Sequence, residues 1–191
     1  MKTKEIHIAI FASGTGSNAV NIINYFGKEP NIRFTVLSNN PKAPVLEKAQ
    51  ALGIDTLVFN RKEFNEQQVV LEYLKSVDTE LIILAGFLWL VPEYLVKAYP
   101  KKIINIHPAL LPNYGGKGMY GLKVHKAVIE AGDKESGITI HFVDEIYDHG
   151  DVIVQEKCSI SDDDTPETLV QKIHALEHEH FPKVIENIIK Q

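Results

Sequence analysis

The chain has a single cysteine, Cys158, a single tryptophan, Trp89, and only two arginines, Arg33 and Arg61, among 191 residues. One thiol excludes a disulfide framework and a cysteine-rich metal centre, and Cys158 reads as a small packed residue. Two arginines and a formal net charge of -5 argue against nucleic acid as a partner, because phosphate backbones demand a dense basic surface. A small anionic ligand held locally remains open. Long hydrophobic runs are also missing. The longest, residues 81–91, stops at Pro92, whereas a membrane span needs roughly 20 such residues. It reads instead as a buried strand and the turn after it. Lys2, Lys4, Glu5 and His7 interrupt the N-terminus, so no signal peptide is expected there. A cytoplasmic protein without membrane or nucleic-acid partners is the expectation.

What is present suits one domain over residues 1–191. Hydrophobic residues make up 45%, enough to close one sizeable core at this length. Short β-branched, near-continuously apolar runs at 6–11, 32–37, 55–59, 81–85 and 102–106 read as strands covered on both faces. Helix-spaced apolar residues lie between them at 17–26, 44–52, 65–77 and 92–99. After Pro108 the rhythm changes. Residues 113–121 hold four glycines in nine positions, which predicts a mobile loop. A helix near 123–131 follows, then strands at 137–143 and 152–160 joined by a turn over 144–151. A long last helix opens at Thr165 as N-cap with Pro166 in the first turn. The pattern predicts an α/β fold: a Rossmann-like open sheet, mostly parallel with an antiparallel C-terminal portion, and helices on both faces.

Ser13-Gly14-Thr15-Gly16-Ser17-Asn18-Ala19 follows the first strand and opens the first helix. It fits the G-x-G-x-x-A dinucleotide fingerprint, a weak signal by itself. Small residues let backbone N–H groups close on a phosphate, and the helix dipole favours the anion. A dinucleotide site also wants an acid near the end of the second strand. Here that strand ends Leu37-Ser38-Asn39-Asn40, without a carboxylate, so a monophosphate suits the loop better. A tight turn that needs glycine for backbone reasons alone is the competing reading.

Asn105 and His107 alternate along the predicted strand 102–106 and its end, sharing one face about 7 Å apart. They stand at the carboxyl end, where open α/β sheets place ligands. An amide and an imidazole there supply an oxyanion donor and a proton carrier, though a strand-end histidine alone is more often structural. Asp148 lies in a turn, Tyr147-Asp148-His149-Gly150-Asp151, that sequence cannot place beside them. Were it there, its charge would favour a protonated His107.

Asn105-Ile106-His107-Pro108-Ala109-Leu110-Leu111-Pro112 resembles the signature of the folate-dependent formyltransferases. So does His141-Phe142-Val143 followed by Tyr147-Asp148-His149-Gly150. The loop Ser13-Gly14-Thr15-Gly16-Ser17-Asn18, Leu84-Ala85-Gly86-Phe87 and Glu177-His178 fit the same family, and the resemblance runs from about residue 5 to 188. It implies catalytic roles for Asn105, His107 and Asp148, and ribotide contacts from Gly16, Ser17, Asn18 and Glu177. It also implies folate contacts from Leu88, Trp89, Leu90, Val91, Asn105 and Asp144. The implied co-substrate is 10-formyltetrahydrofolate, the implied acceptor is the amine of glycinamide ribotide in purine synthesis, and no metal is implied. Amine attack on the formyl carbon would make an oxyanion stabilised by Asn105 and a His107 kept protonated by Asp148. Two departures stand out: Trp89 occupies a position where many relatives carry arginine, and residues 114–121 replace a shorter loop. The region around Arg61 aligns ambiguously, so no folate contact is assigned to it.

His174-Ala175-Leu176-Glu177-His178 spells the inverted zinc-protease pattern H-x-x-E-H. The third ligand of a catalytic zinc would have to come from the same helix, so the expectation is a substrate-facing surface with Glu177 as acceptor. Hydrolases of formyltetrahydrofolate carry an extra N-terminal domain, and a first strand near residue 6 speaks against one. The transferase for initiator methionyl-tRNA carries a tRNA-binding domain that an acidic chain of this length is not expected to have. A non-catalytic phosphate-binding module would explain residues 14–18 but not Asn105, His107 and Asp148. Monomer and homodimer are both compatible with the sequence.

Overall fold

A computed structural model describes residues 5–27 and 29–190. Seven strands form one sheet in the order β3-β2-β1-β4-β5-β6-β7, mostly parallel with an antiparallel C-terminal part and helices around it. The chain divides into two compact units, residues 1–104 and 105–191, with β5 (Ile103–His107) running across the division.

In the first unit, β1 (Ile6–Phe11) pairs in parallel with both β2 (Ile32–Ser38) and β4 (Thr79–Leu84). Its central place explains why Ile8, Ala9, Ile10 and Phe11 are all fully buried, as an apolar run without alternation requires. β3 (Asp55–Val58) extends β2 in parallel. Helix α1 (Ser17–Phe26) buries Asn18, Ala19, Ile22, Ile23 and Phe26, a helical stripe. α2 (Pro44–Ala51) starts with proline in its first turn. α5 (Glu93–Ala98) precedes β5.

The helix expected over 65–77 is two helices, α3 (Arg61–Asn65) and α4 (Val69–Ser76). Asn60 and Glu63 form a reciprocal capping box that starts α3 early. Gln68 then takes a left-handed backbone, φ 55°, which no continuous helix tolerates. Phe11, Phe59, Phe64 and Phe87 meet in an aromatic cluster with centroids 5.0–6.3 Å apart.

The second unit is built on the antiparallel pair β6 (Glu135–Phe142) and β7 (Val152–Ser159). α6 (Leu122–Ala131) and α7 (Pro166–Ile189) complete it. Thr165 caps α7 through the Thr168 N–H, with Pro166 in the first turn, as the sequence predicts. Ile173, Glu177, Phe181, Val184 and Ile185 form its buried stripe. No helix among the described residues is long and apolar enough to cross a membrane.

Candidate active site

β5 ends at His107, and the chain beyond it is fixed by hydrogen bonds to the β6–β7 pair. Buried Thr139 donates through its hydroxyl to the Ala109 carbonyl at 2.7 Å and accepts the Leu111 N–H at 3.0 Å. Gln155 Nε2 donates to the Leu111 carbonyl and the Thr139 hydroxyl, each at 2.9 Å. These contacts set where the segment after β5 turns.

Asp148 sits in the turn between β6 and β7 in a left-handed conformation, φ 54°. Asp144 shapes that turn: its Oδ1 accepts the Ile146 N–H at 2.8 Å and its Oδ2 faces His149 Nδ1 at 2.6 Å. Burial works to raise the Asp144 pKa, but the His149 and Ile146 hydrogen bonds outweigh it and hold the carboxyl below its usual range. Glycine is required at 150, since a Cβ there would lie 2.0 Å from the Phe142 carbonyl oxygen.

The turn brings Asp148 against both strand residues. Asn105 Nδ2 donates to Asp148 Oδ1 at 3.3 Å, and His107 Nδ1 lies 3.5 Å from Asp148 Oδ2. Both side chains are nearly enclosed, 4% and 10% exposed. Asp148 Oδ2 also accepts the Gly116 N–H at 2.8 Å, and His107 Nε2 donates to the Tyr114 carbonyl at 2.8 Å. The first half of the 113–121 loop thus closes on the site, while the Tyr114 hydroxyl donates to Asp133 at 2.7 Å.

Burial lowers the His107 pKa, and the Asp148 charge and the Tyr114 carbonyl only partly oppose it. Burial thus works against the protonated ring that the sequence predicts, with Asp148 pulling the other way. A carboxylate at 3.5 Å is too long for a strong hydrogen bond, and desolvation of the cation wins.

His141 is a residue to which sequence reasoning gave no role. It is 2% exposed; its Nε2 lies 3.1 Å from Asn105 Nδ2 and its Nδ1 2.7 Å from the Phe142 carbonyl. The available signal was its alternation with Thr139 on β6, which puts both on one face.

In the first unit, Gly16 is the N-cap of α1 at φ 71°, a residue without a side chain to cap the helix. A Cβ on Gly16 would lie 2.1 Å from Val45 Cγ2, so this glycine is needed both for its backbone and for its packing. Ser17 is half-buried and Asn18 buried. Lys48 Nζ donates to the Thr15 carbonyl at 2.8 Å, placing a cation beside the loop. Of the residues matched to the folate pocket, Leu88 and Leu90 are exposed, Trp89 is half-buried and Val91 is buried. Trp89 packs against Phe59, Phe64 and Phe87 at 6.0–6.3 Å, and the Arg61 guanidinium lies 4.9 Å from its ring centroid.

The H-x-x-E-H run does not present one surface. Glu177 is buried, whereas His174 and His178 are exposed and stack on each other at 6.2 Å. Among the described residues, no group of three or more His, Cys, Asp or Glu side chains is placed to hold a metal ion.

The chain belongs to the formyl transferase family, whose sequence pattern matches residues 6–185. It is 39% identical over 188 residues to the phosphoribosylglycinamide formyltransferase of Bacillus subtilis, covering 95% of this chain and 93% of that one. It is 38% identical over 191 residues to the chloroplastic phosphoribosylglycinamide formyltransferase of Arabidopsis thaliana, covering 96% of this chain but only 65% of that longer relative. Among solved structures, the phosphoribosylglycinamide formyltransferase of Anaplasma phagocytophilum superposes with a TM-score of 0.88 at 35% identity, covering 98% of this chain and 88% of that one. The Bacillus halodurans enzyme of the same name gives 0.85 at 35% identity, covering 97% and 96%.

Proposed function

We propose that the protein transfers a formyl group from 10-formyltetrahydrofolate to the amine of glycinamide ribotide, a step of purine synthesis in the cytoplasm. Residues 1–191 act as one formyltransferase domain. The observation that carries this reading is the convergence of Asn105, His107 and Asp148 within 3.5 Å, in a chain whose full-length relatives bear the name of that activity.

The phosphate of the ribotide binds at Gly16, Ser17 and Asn18, at the start of α1, where backbone N–H groups and the helix dipole favour an anion. Glu177, buried on α7, contributes a carboxylate to the rest of the ribotide. Leu88, Trp89, Leu90 and Val91 hold the folate. Exposed leucines flanking a half-buried indole fit a flat aromatic ligand, and the Arg61 cation above the ring suits a carboxylate-bearing one. Asn105 and Asp144 complete the folate contacts.

Bound 10-formyltetrahydrofolate supplies an electrophilic formyl carbon for the ribotide amine. His107 is poised as the proton carrier. Its Nε2–H is committed to the Tyr114 carbonyl, so Nδ1 is the atom left to take the amine's proton and pass it to the folate nitrogen as that nitrogen's bond to the formyl carbon breaks, directly or through water. Once charged, the ring lies beside Asp148, whose attraction grows as the proton arrives. Asn105 contacts the reacting atoms through its amide. No residue has to form a covalent bond to the formyl group.

The decisive assay offers the purified protein 10-formyltetrahydrofolate with and without glycinamide ribotide. Formylated ribotide is the expected product. Folate hydrolysis independent of ribotide would replace this reading with a hydrolase, and binding without turnover would replace it with a phosphate-binding module.

A further inference from the structure

The site contains a histidine that the mechanism above does not use. His141 is enclosed on β6, and its two nitrogens face two different groups. The Phe142 carbonyl can only accept, so the Nδ1 atom 2.7 Å from it carries the hydrogen. The other side is settled by Asp148. The terminal atom of Asn105 that faces Asp148 Oδ1 at 3.3 Å must be the nitrogen, because an amide oxygen there would repel the carboxylate. The same nitrogen faces His141 Nε2 at 3.1 Å, so Nε2 must be an acceptor and the ring is neutral.

Both hydrogens of the Asn105 amide are thereby assigned, one to Asp148 and one to His141, while its Oδ1 makes no hydrogen bond among the described residues. An asparagine held by one acceptor can swing about its last torsion, whose energy well is broad. Two acceptors at an angle leave it a single orientation.

We propose that His141 is a positioning residue for formyl transfer: its Nε2 lone pair fixes the Asn105 amide, with Nδ2 toward Asp148 and Oδ1 offered to the substrate. In that orientation Asn105 accepts an N–H of the attacking amine and aims its lone pair at the formyl carbon. This inference rests on the formyl-transfer reading above. Burial supports it, because it lowers the His141 pKa despite Asp148 and Asp144 nearby and so keeps Nε2 free of a proton.

The test compares His141→Phe, which fills the space without an acceptor, with His141→Gln, which restores one through its amide oxygen. His141→Phe should lower kcat about 10- to 100-fold, the scale of a displaced reacting group, with the KM for glycinamide ribotide unchanged. His141→Gln should recover most of that loss. Equal impairment of both variants, or a wild-type kcat in His141→Phe, overturns the proposal. Nitrogen NMR of ring-labelled wild-type protein near neutral pH gives a check that does not depend on a variant folding. A neutral ring protonated on Nδ1 is expected, and one protonated on Nε2 overturns it. Wild-type activity separates this from failure of the functional reading. If the wild type only hydrolyses the formyl donor, that reading falls, while the same comparison of kcat values on hydrolysis still decides the role of His141.

Discussion

Replacing His125 by leucine should flatten the acid side of the stability profile. His125 lies on α6 and is 3% exposed. Its Nδ1 is buried without a hydrogen-bond partner among the described residues. Burial, with repulsion from His174 and His107, pushes its pKa down to about 4. The unfolded chain takes up this proton near the ordinary value of about 6.5, whereas the folded protein refuses it until about 4. Above pH 6.5 both states are neutral there and the group has no pH-dependent effect. As pH falls, the unfolded state binds more protons and stability drops. By linkage the loss reaches about 3 kcal/mol once pH is below both values, and about 2 kcal/mol at pH 5. Urea unfolding of wild type and His125→Leu at about pH 7.5 and about pH 5 measures it directly, the midpoints and slopes giving free energies. The variant should gain about 2 kcal/mol relative to wild type on going to the lower pH. His7, His107 and His141, also pushed down by burial, add slope common to both proteins. Removing a repelling neighbour of His107 acts in the same direction as the main effect. An unchanged gap between the proteins at the two pH values would refute the assignment.

At the site, His107→Ala or Asn105→Ala should cost about 2–4 kcal/mol in kcat/KM, the scale of a lost group contacting the reacting atoms; near-normal turnover would remove either from its role. Asp148→Asn takes away the charge that raises the His107 pKa, so the acid limb of the pH–rate profile should move to lower pH as overall activity falls. A limb that stays in place would mean that another group titrates. Gly16→Ala meets Val45 and a left-handed backbone together, and should destabilise the protein by about 2 kcal/mol or more. It should also raise the KM for ribotide, and both effects are readable from thermal unfolding and initial rates. Exhaustive chelation should leave activity intact; its loss, with stoichiometric zinc in the untreated protein, would make the H-x-x-E-H run a metal site after all.

Local physics made much of the fold legible. The Thr165–Pro166 start of α7, the glycine turn at Gly16 and the apolar β1 depend on neighbours within a few residues, and all occur as the sequence predicts. The break between α3 and α4 did not announce itself, because Gln68 adopts φ 55° at a position with no glycine to signal it. The H-x-x-E-H run misled for a related reason. Residues three and four apart are neighbours on a helix, but the boundary of the buried stripe falls between Glu177 and His178. Only packing against the rest of the unit fixes where that boundary lies.

The site divides along the same line. Alternation on a strand placed Asn105 with His107, but Asp148 came only through family resemblance, since 43 residues separate it from Asn105. The Tyr114 carbonyl could not have been found, because every residue carries a carbonyl and none is distinctive in sequence. The charge on His107 is less legible still, because it is a balance between enclosure by the whole unit and one carboxylate 3.5 Å away. Sequence reasoning sees the carboxylate and concludes that the ring is charged. Burial pulls the ring toward its neutral form, and in the proposed mechanism Asp148 serves the charged form that arises as the proton arrives. A proton carrier needs that order of events: a histidine already protonated could not accept the proton the amine must lose.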